Sequence, residues 1–90
     1  MDRYLILCDS WEDANKLFQD FGTIMTIAKT LSCTKNYIRT IELKDGSSYR
    51  FLGMVDKEKA TQGFTGTVIS EKRFRKVMDI WVKRSVMGNA

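Results

Sequence analysis

The chain contains no histidine and no proline, only two cysteines, and no long apolar run. Each absence removes a class of protein. Without histidine, the usual general base and the usual nucleophile triads are missing, and a zinc site would need carboxylates to complete it. Cys8 and Cys33 are too few for a disulfide framework and read as two reduced structural thiols. No segment approaches the roughly 20 apolar residues that a membrane span requires, and Met1-Asp2-Arg3-Tyr4 lacks a signal-peptide profile. We therefore expect a cytoplasmic protein without membrane contact. No proline-rich, repetitive or low-complexity stretch marks a linker, so residues 1–90 should form a single domain.

What is present is ordinary globular material, 43% apolar and 29% charged residues in a chain of 90. A chain this short buries only about 60–65% of the surface its unfolded form exposes. Its stability should be modest, which favours docking onto a partner or self-association into a homo-oligomer.

Residues 4–8, Tyr-Leu-Ile-Leu-Cys, form a short apolar run that stops at Asp9-Ser10, the pattern of a buried strand. Ser10 is placed to cap a helix, with Asp13 in a capping-box-like position and Asp9 and Glu12 suited to a helix N-terminus. Trp11, Ala14, Leu17, Phe18 and Phe21 recur at helical spacing, and Gly22 supplies the expected stop. Residues 23–34 fit both helix and strand; their threonines and isoleucines tilt the reading to strand. Residues 37–44 and 47–52 flank Asp45-Gly46 and read as a β-hairpin. A two-residue loop would set Ile41 against Arg50 and mix apolar with polar groups on each face. A three-residue loop, Lys44-Asp45-Gly46 with Gly46 left-handed, instead pairs Ile41 with Tyr49 and Glu42 with Ser48. Ile41, Leu43, Tyr49 and Phe51 then share one buried face.

Asp56-Lys57-Glu58-Lys59 reads as a solvated charge cluster, residues 62–66 as a loop and residues 67–69 as a short strand. Ser70 caps a second helix whose apolar stripe is Phe74, Val77, Met78, Trp81 and Val82. The expected fold is α+β (mixed α/β): β-α-β, a β-hairpin, then β-α, with two helices packed on one face of a mixed sheet. An aromatic core of Trp11, Phe18, Phe21, Phe51, Phe74 and Trp81 should close it.

Charge is concentrated at the C-terminal end. Between residues 70 and 87, six basic residues (Lys72, Arg73, Arg75, Lys76, Lys83 and Arg84) face only Glu71 and Asp79, so this segment alone carries the whole chain's net charge of +4. At about 100° per residue, Lys72, Lys76 and Lys83 fall within about 40° of one another, opposite the apolar stripe. Arg73 and Arg84 flank them, and Ile80 is exposed beside the ridge, a small pointer to a protein contact. Such a ridge either solvates a helix face or meets an anion, which is the backbone of a nucleic acid or an acidic protein surface. Phosphate attraction carries no sequence code by itself.

No carboxylate pair stands at a spacing that suggests glycosidase or protease chemistry, and no enzymatic activity, cofactor or metal is expected. Cys8 lies just before a helix N-terminus, where a thiolate gains from the helix dipole, but Asp9, Glu12 and Asp13 oppose it. Gly63 and Gly66 do not supply the spacing, lysine or hydroxyl of a G-x-x-x-x-G-K-S/T phosphate loop. Gly63-Phe64-Thr65-Gly66 matches the bare G-x-x-G of KH nucleic-acid clamps, a fold that needs helices on both sides of it.

One longer stretch carries a likeness. Ile41-Glu42-Leu43-Lys44-Asp45-Gly46-Ser47, Phe51-Leu52-Gly53, Asp56-Lys57-Glu58-Lys59, Gln62-Gly63-Phe64-Thr65 and Val68-Ile69-Ser70-Glu71 together resemble part of phage large-terminase ATPase domains. Those domains show a strand, an N/D-G-S turn, a strand ending F-x-G, a D-x-E-K run and a strand closed by acidic residues. The resemblance covers residues 41–74 and implies phage or prophage origin. In that family the acidic pair helps hold magnesium and activate water; here Glu71 matches the second acid while Ser70 occupies the place of the first. The family's phosphate-binding loop and its lysine have no counterpart, so the resemblance implies no ATP hydrolysis. Two functional readings follow: an accessory module that uses the ridge on nucleic acid or its machinery, and a protein-binding regulator or inhibitor of a host protein.

Overall fold

Alternation decides the first strand. In β1 (Arg3–Cys8), Tyr4, Ile6 and Cys8 point to the core, while Arg3, Leu5 and Leu7 point to the opposite face. The computed structural model describes residues 2–53 and 57–87, the side chains of residues 57, 60 and 84–87 excepted. Helix α1 (Trp11–Ile27) follows directly, and the Ser10 hydroxyl accepts from the Asp13 N–H at 3.0 Å, as a cap should.

The helix does not stop at Gly22. Met25 extends the stripe of Leu17, Phe18 and Phe21 by one more turn, and burying it outweighs the cost of an interior glycine. The Thr23 and Thr26 hydroxyls donate back to the Gln19 and Gly22 carbonyls, so these threonines sit in a helix rather than a strand. The end comes at Lys29, whose φ of 59° is left-handed. Its N–H reaches the Thr26 carbonyl and the Thr30 N–H the Met25 carbonyl, a Schellman closure with lysine where glycine is usual.

Strand β2 (Leu31–Lys35) and a short 3-10 turn (Asn36–Ile38) lead to β3 (Thr40–Leu43) and β4 (Ser48–Gly53). The hairpin arms are shorter at the outer end than the apolar pattern suggests, because residues 36–38 coil and Arg39 turns left-handed at φ 44°. The register is the expected one, Ile41 opposite Tyr49 and Glu42 opposite Ser48, with Gly46 at φ 92°. Asp45 fixes the turn by accepting from the Ser47 N–H at 2.9 Å and its hydroxyl at 2.6 Å, which holds the Asp45 carboxyl below its usual pKa.

A short helix α2 (Lys57–Thr61), where a charge cluster with no element was expected, precedes β5 (Thr67–Ser70) and helix α3 (Glu71–Met87). Asp56 of that cluster lies outside the described residues. The sheet order is β2-β3-β4-β1-β5, with β1 parallel to β4 and β5 and the β2-β3-β4 pairs antiparallel. Helices α1 and α3 pack on one face, making this a mixed-sheet α+β domain as expected.

Between helices and sheet, Phe18, Phe21, Phe51 and Phe74 interlock with Ile6, Leu17, Met25 and Ile41. Phe74 meets Phe21, Phe51 and Tyr49 at ring-centroid distances of 5.1, 5.5 and 5.9 Å, in tilted and edge-on geometries. Trp81 packs partly against this cluster. Trp11 does not join it. It is 40% exposed on the first turn of α1, under the Arg39 guanidinium at 4.5 Å from its ring, while Arg39 Nε donates to Asn15 Oδ1. As the first helical residue, it lies where the chain has just left the sheet, so the helical stripe that includes it in sequence does not bury it.

Candidate nucleic-acid interface

The Ser70 hydroxyl accepts from the Arg73 N–H at 3.4 Å, and Arg75 Nε pairs with Glu71 Oε2 at 3.1 Å one turn along. These contacts and the burial of Phe74 and Met78 fix the rotation of α3. That rotation turns Lys72, Arg73, Lys76 and Lys83 outward, all exposed. Among the described residues, none of the four side chains has an ion pair or hydrogen bond; Arg75 alone of the helix's described cations is paired. Ile80 is 56% exposed beside them. The side chain of Arg84, the remaining expected ridge residue, lies outside the described residues.

The apolar stripe is narrower than its sequence suggests. Val77 and Val82, expected inside, are 39% and 40% exposed. Helix α3 is about 25 Å long by its rise per residue, whereas the four residues of β5 extend only about 13 Å. The later turns therefore outrun the strand beside which the helix starts, leaving Val82 open, whereas Val77, in the second turn beside buried Met78, lies on the flank of the stripe.

A second cluster forms where β1 and β5 end. Asp9, Asp13 and Glu71 each bring a carboxylate oxygen within 4.8 Å of the others. Oxygen donors of this kind suit a hard divalent cation, but Arg75 already neutralises Glu71 from one side. Cys8 lies in the same crevice, a cavity of about 470 Å³ that also includes Asp9, Glu71 and Lys72. Burial, then the Glu71 carboxylate, push its thiol up to about 12. At neutral pH it is therefore a protonated thiol and a poor nucleophile. The acidic opposition to this thiolate expected from Asp9, Glu12 and Asp13 comes more strongly from Glu71, distant in sequence, than from Asp13.

The Gly63-Phe64-Thr65-Gly66 loop lies between α2 and β5, so the helix a KH clamp requires after it is replaced by a strand. Residues 41–53, the D-G-S hairpin of the terminase resemblance, are β3, its turn and β4, and Glu71 follows the last residue of β5. Comparison with known proteins returned no significant match among family models, curated proteins or solved structures. The terminase likeness therefore rests on the residues of this chain alone.

Three groups on the sheet face turned away from α1 and α3 were not anticipated from the sequence: Arg3, Arg50 and Phe64. The signal was the alternation of β1 and β4, which places Arg3 and Arg50 out of phase with the core residues, but only the strand order brings them together.

Proposed function

We propose that this chain is a small non-catalytic module that binds the phosphate backbone of nucleic acid through the outer face of α3. The observation that carries this reading is the group of four exposed cations, Lys72, Arg73, Lys76 and Lys83, held on a helix anchored to the core and engaged by no acidic partner among the described residues. Unpaired cations on a rigid scaffold release counterions when they meet phosphates, the main source of sequence-independent affinity. The terminase resemblance supports a phage setting in which the module serves nucleic-acid machinery.

A second reading, a protein-binding regulator, is favoured by the exposed Val77, Ile80 and Val82 on the same helix. Affinity capture from a host lysate with and without nuclease separates the two. Partners bridged by nucleic acid should disappear on nuclease treatment under the first reading and persist under the second.

A further inference from the structure

On the sheet face turned away from α1 and α3, strand register sets Leu5 beside Arg50, Arg50 beside Thr40 and Thr40 beside Lys35, one row across four strands. Residues 62–64 rise against this face, and sheet and loop bound a concavity of about 710 Å³. One wall is a cation–π pair, with the Arg3 guanidinium 5.7 Å from the centre of the Phe64 ring and its Nη1 donating to the Thr65 hydroxyl at 3.5 Å. On the other side Lys35 is neutralised by Glu42 at 2.7 Å. Arg50 is exposed and has no ion pair or hydrogen bond among the described residues. The groove thus keeps the positive charge of Arg3 and Arg50 beside an aromatic ring, over a floor that includes buried Leu5.

We propose that this groove binds a short single-stranded segment of nucleic acid, with a phosphate on Arg50 and a base against the Arg3–Phe64 pair. A groove of this volume is in the size range of small-molecule sites and is too small to seat a duplex. Unpaired arginine beside a stacking platform is the chemistry by which single strands are held without sequence preference. An acidic peptide would satisfy the arginines but leave the stacking platform unused. The groove lies on the opposite side of the sheet from α3, so a strand here and a backbone on the ridge do not compete. The inference rests on the reading of the protein as nucleic-acid-binding, but it involves different residues.

The test is fluorescence anisotropy with a labelled thymidine hexamer and, separately, a short duplex, using the full chain at low salt. Arg3→Gln combined with Arg50→Gln should weaken hexamer binding at least tenfold and lower its salt slope by about 0.7 for each lost phosphate contact, leaving duplex binding unchanged. Phe64→Leu, which keeps an apolar side chain at this half-buried position, should weaken the hexamer several-fold with little change in salt slope. Arg50→Gln alone, at an exposed position, guards against a folding defect and should give part of the loss. Hexamer binding equal to wild type in the arginine variants overturns the groove while leaving the ridge intact. Equal displacement of the hexamer by a glutamate-rich peptide of matched charge overturns it in favour of an acidic protein partner. Absence of any nucleic-acid binding by the wild type overturns both readings.

Discussion

Replacing Phe74 by alanine removes the fully buried ring that α3 contributes to the core. The side chain is 1% exposed and touches three other rings, so neighbouring residues are poorly placed to collapse into the space it leaves. The expected loss is about 3–5 kcal/mol. A domain of this size has a total stability of about 5–13 kcal/mol by the usual per-residue range, so the loss is a large fraction of the whole. With a urea m-value of about 1–1.5 kcal/mol/M, the midpoint should fall by roughly 2–5 M. The informative control is Trp11→Ala. Trp11 is larger, yet its partly exposed ring and the Arg39 stack are worth about 1–2 kcal/mol, mostly through partial burial and a surface cation–π contact. Urea titrations of both variants followed by circular dichroism give the comparison. A Trp11→Ala loss equal to or greater than that of Phe74→Ala would refute the core assignment.

Four further outcomes follow from the packing and the thiols. A Cβ on Gly53 would sit 2.4 Å from backbone atoms of Ser10 and Trp11, so Gly53→Ala should cost about 3 kcal/mol, the upper end of the overpacking range, in a denaturant titration. Gly22→Ala should instead stabilise by up to about 1 kcal/mol, since the new Cβ meets only the Ile41 side chain at 3.5 Å inside a helix. For Cys8, the folded thiol stays protonated up to about 12 while the unfolded one ionises near its ordinary value of 9.0, so stability is full below that value and is lost as pH rises through the interval. The loss should approach about 1.4 kcal/mol per pH unit, and Cys8→Ala should remove that share of it; an unchanged alkaline slope would contradict the assignment. At neutral pH a thiol-reactive reagent should modify exposed Cys33 quickly and buried Cys8 only on unfolding.

The parts of the fold that were legible in the sequence are those decided by local chemistry. The Ser10 and Ser70 caps, the three-residue turn with left-handed Gly46, and the Ile41–Tyr49 register each follow from residue type and spacing within a few positions. The errors arose where tertiary contacts outweighed local preference. Gly22 resembles a helix stop, but burial of Met25 continues the helix, and Lys29 ends it in a conformation usually left to glycine. Trp11, Val77 and Val82 obey helical spacing yet stay open, because burial depends on where each helix meets the sheet, which spacing along one helix does not give. The ridge cations were readable because one helix holds them all. The groove of Arg3, Arg50 and Phe64 was not, because it depends on β1 pairing with β4 across a long sequence separation.

The proposed binding of nucleic-acid backbone by α3 meets its sharpest test in the salt dependence of mixed-sequence DNA binding by wild type and by a Lys72→Gln, Lys76→Gln, Lys83→Gln variant. Binding by the wild type should weaken steeply with salt, and the variant's log–log slope should be reduced by up to about 0.9 for each duplex contact removed. Folding should be nearly unchanged, since surface substitutions of this kind cost within about 0.5 kcal/mol each. Identical affinity and slope in the two proteins, or no binding by the wild type at low salt where attraction is strongest, would contradict it.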